Sequence, residues 1–93
     1  MDFTDKKIDL VWEKAEKIPT YDPSKYRKDS CGAWIARRHY GKKEFDSGWY
    51  IQKINLKGSD KIENLQALQW QNSVSKTDGK LACKITSNGP NNE

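Results

Sequence analysis

Few residues in this chain have side chains suited to bond-making chemistry. One of its 93 residues is histidine, His39, and two are cysteines, Cys31 and Cys83. A lone imidazole has neither a second ligand with which to share a metal nor a partner to orient it as a base, so His39 is assigned a surface or packing role. The cysteines form no CxxC pair, which leaves a structural zinc site without support, and two are too few for a disulfide scaffold. They are read as free, partly buried thiols, with pairing to each other as the alternative.

Cationic side chains are more plentiful, and they are unevenly spread. Residues 1–24 carry four Lys against six acids, residues 25–57 carry nine Lys or Arg against three acids, and residues 58–93 balance four against four. The net charge of +4 therefore hides a basic middle on an acidic lead. Such a segment suits phosphates, while the plainer reading is a solubilising surface. Four Trp among the aromatic residues offer ring faces for stacking on unpaired bases. Trp34, Trp49, Tyr50 and Trp70 are the candidates, although a domain this small needs its large rings in the core.

These residues must be held by a single small domain, expected over 1–85 with a mobile tail at 86–93 that has no large apolar residue to bury. The fold class expected is α+β. Thr4 or Asp5 caps a helix to about Ile18, where Ile8, Val11, Trp12, Ala15 and Ile18 form one apolar stripe and Pro19 ends it. Tyr21 to Asp29 reads as an ordered loop. Residues 33–40 and 48–54 read as strands of one antiparallel hairpin across the polar linker Lys42 to Ser47. A turn at Gly58-Ser59-Asp60 leads to a helical pattern from Ile62 to about Lys76, with an extended start at Asn64-Leu65-Gln66. Leu81, Cys83 and Ile85 alternate as a short last strand. Apolar runs such as Leu10-Val11-Trp12 are far below the roughly 20 residues of a membrane span, so a soluble intracellular protein is expected.

The series Tyr26-Arg27-Lys28-Asp29-Ser30-Cys31-Gly32-Ala33-Trp34-Ile35, then Gly48-Trp49-Tyr50-Ile51-Gln52-Lys53-Ile54, then Asn64-Leu65-Gln66-Ala67-Leu68-Gln69-Trp70-Gln71-Asn72 with Lys76, resembles a bacterial HNH endonuclease domain over residues 21–79. The resemblance implies the ββα-metal arrangement, in which two short strands and a helix hold a divalent metal beside the scissile phosphate. It also implies where the chemistry has gone. The family's metal-holding Asp and water-activating His fall on Gln52 and Lys53. The helix positions that supply a His and a further His or Asn fall on Gln69 and Ser73. Asn64, which orients the site in the family, is retained.

Two neutral amides and a hydroxyl offer no charge to a divalent cation, and Lys53 adds a positive one. A lysine of ordinary pKa near 10.4 is protonated at neutral pH and takes no proton from water. The expectation is a degenerate, catalytically inactive frame with no metal and no cofactor. Its former active face would hold phosphate without cutting it, through Arg37, Arg38, Lys42, Lys43, Lys53 and Lys57. Strand alternation places Arg37 and Arg38 on opposite faces, so the six are not one cluster. The expected partner is nucleic acid, RNA or DNA, or a nucleoprotein nuclease. A stripped single domain is similar in economy to anti-CRISPR proteins. By that analogy it is expected to be a phage-encoded inhibitor of a CRISPR effector or its guide RNA, in the cytoplasm of a bacterial host. A general nucleic-acid-binding accessory module and an active metal-dependent endonuclease are the alternatives.

Overall fold

The structure is a computed structural model and describes residues 3–87. It is a small α+β protein with one α-helix and several short antiparallel strands. Helix α1 spans Asp5–Lys14. The strands are β1 (Glu16–Lys17), β2 (Tyr26–Lys28), β3 (Trp34–Ala36), β4 (Trp49–Lys53), β5 (Leu65–Gln69), β6 (Ser73–Val74) and β7 (Leu81–Ala82), with 3₁₀ turns at Arg37–His39 and Ile62–Asn64. β1, β2 and β3 form one antiparallel sheet in that order, and β4–β5 and β6–β7 form separate two-stranded ribbons.

The start of α1 follows the sequence: the Thr4 hydroxyl accepts the Lys7 N–H, and Asp5 sits in the first turn, where an acid suits the helix dipole. Ile8, Val11 and Trp12 bury the predicted stripe. The helix nevertheless ends at Lys14 rather than at Ile18. Ala15 turns extended, and Glu16 and Lys17 pair with Lys28 and Arg27 of β2. Arg27 makes this exit favourable. Its buried guanidinium donates to the carbonyls of Glu13 (2.9 Å) and Ala15 (3.2 Å), oxygens that helix termination exposes, and to that of Pro23 in the loop before β2 (2.9 Å). Strand pairing and an arginine cap thus end the helix before Pro19 can.

The expected hairpin between residues 33–40 and 48–54 does not form. β3 pairs instead with β2, with Arg27 opposite Ile35, and the loop 21–29 contributes a strand. The local turn wins because Asp29 closes it. One carboxylate oxygen accepts the N–H groups of Cys31 and Ala33, both at 2.8 Å, and Gly32 supplies the left-handed φ of +91°. β4 finds its partner in β5, which lies inside the segment expected to be helical. The pairing runs from Trp49 opposite Gln69 to Lys53 opposite Leu65. Only the extended start at Asn64–Gln66 matches the expectation there. A helix would tie the Gln69 N–H to a carbonyl four residues back, whereas here it donates to the second Asp29 oxygen at 2.8 Å. Residues 70–72 then turn, and Ser73–Val74 pair with Leu81–Ala82, so the last strand is shorter than expected and exposed.

Ile8, Val11, Trp12, Ile35, Trp49, Ile51, Leu65 and Ala67 make the core, with the Trp12 and Trp49 rings 5.4 Å apart. The cysteines are not free: Cys31 and Cys83 form a disulfide across a sequence separation of 52. The residue types carry no pairing signal. The bond follows from Asp29 and Asn72, whose contacts bring the 29–33 turn and the 83–85 segment together. Of the tail assigned to 86–93, residues 88–93 lie outside the described residues.

Replacing Asp29 with Ala strands three backbone donors at about 1–3 kcal/mol each, so a urea titration should show a loss of about 3–5 kcal/mol. Asp29→Asn, which keeps one acceptor oxygen, should lose less. A drop below about 1 kcal/mol in Asp29→Ala would contradict the closing role. Reduction of Cys31–Cys83 should cost about 4 kcal/mol on the loop-closure model for this separation, read as a lower denaturation midpoint in reductant. A paired Cys31→Ser, Cys83→Ser variant should show the same lowered midpoint, and reductant should move it no further.

Candidate nucleic-acid interface

The five positions that the HNH resemblance assigns to a former active site do not converge. Gln52 and Lys53, both half-buried, lie at the end of β4, with Gln66 and Leu65 opposite. Asn64 enters at the same end, and its backbone carbonyl accepts the Ile54 N–H. Gln69 lies four residues farther along β5, about 13 Å away at strand rise, and is fully buried. Ser73 is exposed on β6. Gln69 and Ser73 share no helix face, because no helix is present there.

Two of these side chains serve the fold. The Asn64 amide donates to the Asn55 and Ser59 carbonyls at 3.0 and 2.6 Å, and its oxygen accepts the Asn55 N–H, which closes the 55–59 loop. The Gln69 amide donates to the Asp46 carbonyl at 2.9 Å and accepts from the Gln71 N–H at 2.7 Å. Among the described residues no three His, Cys, Asp or Glu side chains gather as a metal-binding group. The buried Asp29 carboxylate is engaged by four donors, the fourth being the Asn72 amide at 2.9 Å.

The six candidate cations divide into three places. Arg37 is held by Asp9 of α1 in an ion pair of 2.6 Å. Lys53 lies at the far end of β4, and Lys57 is exposed in the loop that follows. Arg38, Lys42 and Lys43 are all exposed and share the turn and loop joining β3 to β4. Arg37 and Arg38 sit in a 3₁₀ turn rather than in a strand, the first bound to Asp9 and the second over the Tyr26 ring.

That loop is closely braced. Gly48 permits the approach, because a Cβ there would stand 1.8 Å from the Lys42 carbonyl oxygen. The Gly41 N–H donates to the Trp49 carbonyl at 2.7 Å, and the Ala36 N–H donates to the Ser47 carbonyl at 3.0 Å. Beneath it the His39 ring is buried, bonded through Nδ1 to the Ser47 hydroxyl at 2.5 Å and stacked on Phe45 at 3.9 Å. Burial is the main cause holding His39 below its ordinary pKa of 6.5; the charges of Arg38 and Lys42 add to it and Glu44 opposes. Both cations therefore lie close enough for their fields to reach the ring.

The aromatic candidates separate too. Trp49 is fully buried and donates its indole N–H to the Ala36 carbonyl at 2.8 Å, which makes it core. Trp34 packs with Tyr21 (4.8 Å) and Tyr26 (6.2 Å), and the Arg38 guanidinium lies 5.9 Å from the Tyr26 ring. Tyr50 and Trp70 are half-buried and line a cleft of about 320 Å³ with Gly41, Lys43 and Trp49. The Tyr50 phenol is pushed above its ordinary pKa of 10.0 by burial and then by the Asp29 charge, so it stays protonated and donates to the Asn72 carbonyl at 2.6 Å. Reasoning from sequence missed Phe45 and the bracing glycines; Gly41 and Gly48 flanking a lysine pair were the available signal. No helix among the described residues is long and apolar enough to cross a membrane.

His39 is the sole histidine, so its titration can be followed by NMR without assignment ambiguity. A lowered folded pKa means that the unfolded chain holds the proton more tightly. The neutral ring's contribution to stability is therefore complete above pH 6.5 and declines as pH falls through the lowered value. His39→Gln should flatten the fall in melting temperature between about pH 8 and about pH 5, and Arg38→Ala should raise the His39 pKa. A His39 titration at or above 6.5 would contradict the arrangement. The chain matches no protein-family model, no curated protein and no solved structure, so its own geometry is the ground for a functional reading.

Proposed function

We propose that this chain is a non-catalytic nucleic-acid-binding protein on a degenerate HNH-like frame. The observation that carries the proposal is a braced β3–β4 connection with three exposed cations, Arg38, Lys42 and Lys43, the last of which lines an aromatic cleft. Phosphates give affinity to closely placed cations, and ring faces beside them suit unpaired bases. The pairing of β4 with β5 departs from the HNH resemblance, which places residues 33–40 beside β4 and a helix over Gln69. The turn and β6 that occupy the place of the family's helix count against it.

A non-catalytic role is supported by the positions that the resemblance gives to a metal site, which do not converge and carry neutral Gln52 and Gln69, a cationic Lys53, and an Asn64 engaged in closing a loop. The partner class is single-stranded nucleic acid. It would be met free or as the guide of a CRISPR-type effector in a bacterial cytoplasm, and the second case would make the chain an inhibitor. Disulfides are rare in reducing cytosol, so Cys31–Cys83 lends that location no support.

Labelled single-stranded RNA and double-stranded DNA, titrated with Mg²⁺, Mn²⁺ or chelator across a salt series, test the proposal. Binding without cutting is expected, tighter to the single strand, with log affinity falling linearly in log salt. Arg38→Ala and Lys42→Ala should each reduce that slope by about 0.7, the value for one phosphate contact on a single strand. Arg37→Ala, whose cation is occupied by Asp9, should leave it unchanged. Cleavage abolished by chelator would sink the non-catalytic reading, and unaltered slopes in Arg38→Ala and Lys42→Ala would sink the interface.

A further inference from the structure

The cleft beside the basic loop differs from the others in its walls. The cleft near Lys57 is lined by loop residues including Lys76, Thr77 and Asp78, and the one near Lys84 by Gln69, Gln71 and Asp46. The cleft of about 320 Å³ has three aromatic residues, one glycine and one lysine. Trp49 is sealed in the core, so the accessible ring surface belongs to Tyr50 and Trp70.

Their polar edges are already engaged within the protein. The Trp70 indole N–H donates to the Phe45 carbonyl at 3.0 Å, and the Tyr50 hydroxyl donates to the Asn72 carbonyl at 2.6 Å. What these side chains offer a ligand is the face of a ring, with its orientation preset by those bonds. Gly41 leaves the wall open, since a Cβ there would meet no atom within 4 Å. Lys43 is exposed, and Arg38 and Lys42 stand on the same connection. A flat, apolar ligand carrying negative charge at its edge satisfies both features.

Resting on the nucleic-acid reading above, we infer that the cleft formed by Tyr50, Trp70, Gly41 and Lys43 receives one unpaired nucleobase by stacking, with the Lys43 ammonium on the adjoining phosphate. Recognition by ring faces, with the N–H and O–H donors of both rings already engaged, makes the site tolerant of base identity and selective for single strands over duplex.

The test uses the whole chain and short labelled oligo(U) and oligo(dT), each beside an abasic strand with the same number of phosphates. The base-bearing strands should bind about 5- to 150-fold more tightly than the abasic ones, the range for one stacked base. A preference in either arm supports the inference and names the strand. Trp70→Leu should bring the two to near parity while leaving abasic binding unchanged. Should that variant not fold, Lys43→Ala in the exposed loop should weaken base-bearing and abasic strands by a similar factor, and the wild-type comparison stands by itself. Equal wild-type binding of base-bearing and abasic strands, with steep salt dependence intact, would overturn the cleft and leave the nucleic-acid reading standing. Binding of neither strand would overturn both and point to a protein target.

Discussion

A carboxylate taken out of water costs several kcal/mol unless donors replace its hydration, and in this protein the whole arrangement depends on one that is so replaced. Asp29 is 4% exposed, and its two oxygens accept four hydrogen bonds, from the N–H groups of Cys31, Ala33 and Gln69 and from the Asn72 amide. Those donors come from the β2–β3 turn, the end of β5 and the turn after it. Asn72 then carries the connection onward: its oxygen accepts the N–H groups of Lys84 and Ile85, and its amide donates to the Ile85 carbonyl. The disulfide Cys31–Cys83 closes the same circuit covalently. With 2- to 5-residue strands and a single 10-residue helix, regular backbone pairing alone would leave this fold poorly specified.

The circuit reaches the proposed interface in two steps. Asn72 offers its backbone carbonyl to the Tyr50 hydroxyl, and Tyr50 is one wall of the aromatic cleft. Gln69, aligned by Asp29, holds the Asp46 carbonyl, and Phe45 beside it receives the Trp70 indole while stacking on His39. The opposing walls of the cleft are therefore fixed by the same buried acid. A site assembled by rigid hydrogen bonds loses little conformational entropy on binding, which favours ring-face recognition by a small domain.

Much of this could be read from the residues in order, and some could not. The α1 stripe was legible because three buried positions at helical spacing leave few alternatives, and so was its start, because Thr4 is a good N-cap. The basic loop and the aromatic pair were legible as residue types. Leu65–Gln69 was misread because a short apolar run with leucines three apart fits a helix turn and a strand buried on both faces equally well; the deciding partner, Asp29, is 40 residues away. The hairpin was misassigned for a related reason. The turn at 29–32 and the loop at 41–48 both carry glycine and polar residues, and only the buried role of Asp29 makes the first the hairpin turn. The cysteine pairing was unreadable, since two isolated thiols give no geometry until the chain is folded.

The positions that the HNH resemblance gives to a metal site are ill placed to hold one in this fold. Lys53→His alone would place an imidazole at the end of β4, and among the described residues no three His, Cys, Asp or Glu side chains gather as a metal-binding group. Gln69 lies four residues along β5 in a fully buried setting, its amide committed to Asp46 and Gln71. Asn64 cannot be released without opening the 55–59 loop that it closes. Asn64 and Gln69 are held in the framework by neutral hydrogen bonds, which stabilise without a metal. The cations, by contrast, stand on a connecting loop that contributes little to the core, and there positive charge can accumulate at small cost to folding. In such a frame a binding face is easier to keep than a catalytic one: phosphate contacts tolerate displacement of a flexible lysine, whereas metal chemistry does not tolerate the loss of a single strand register.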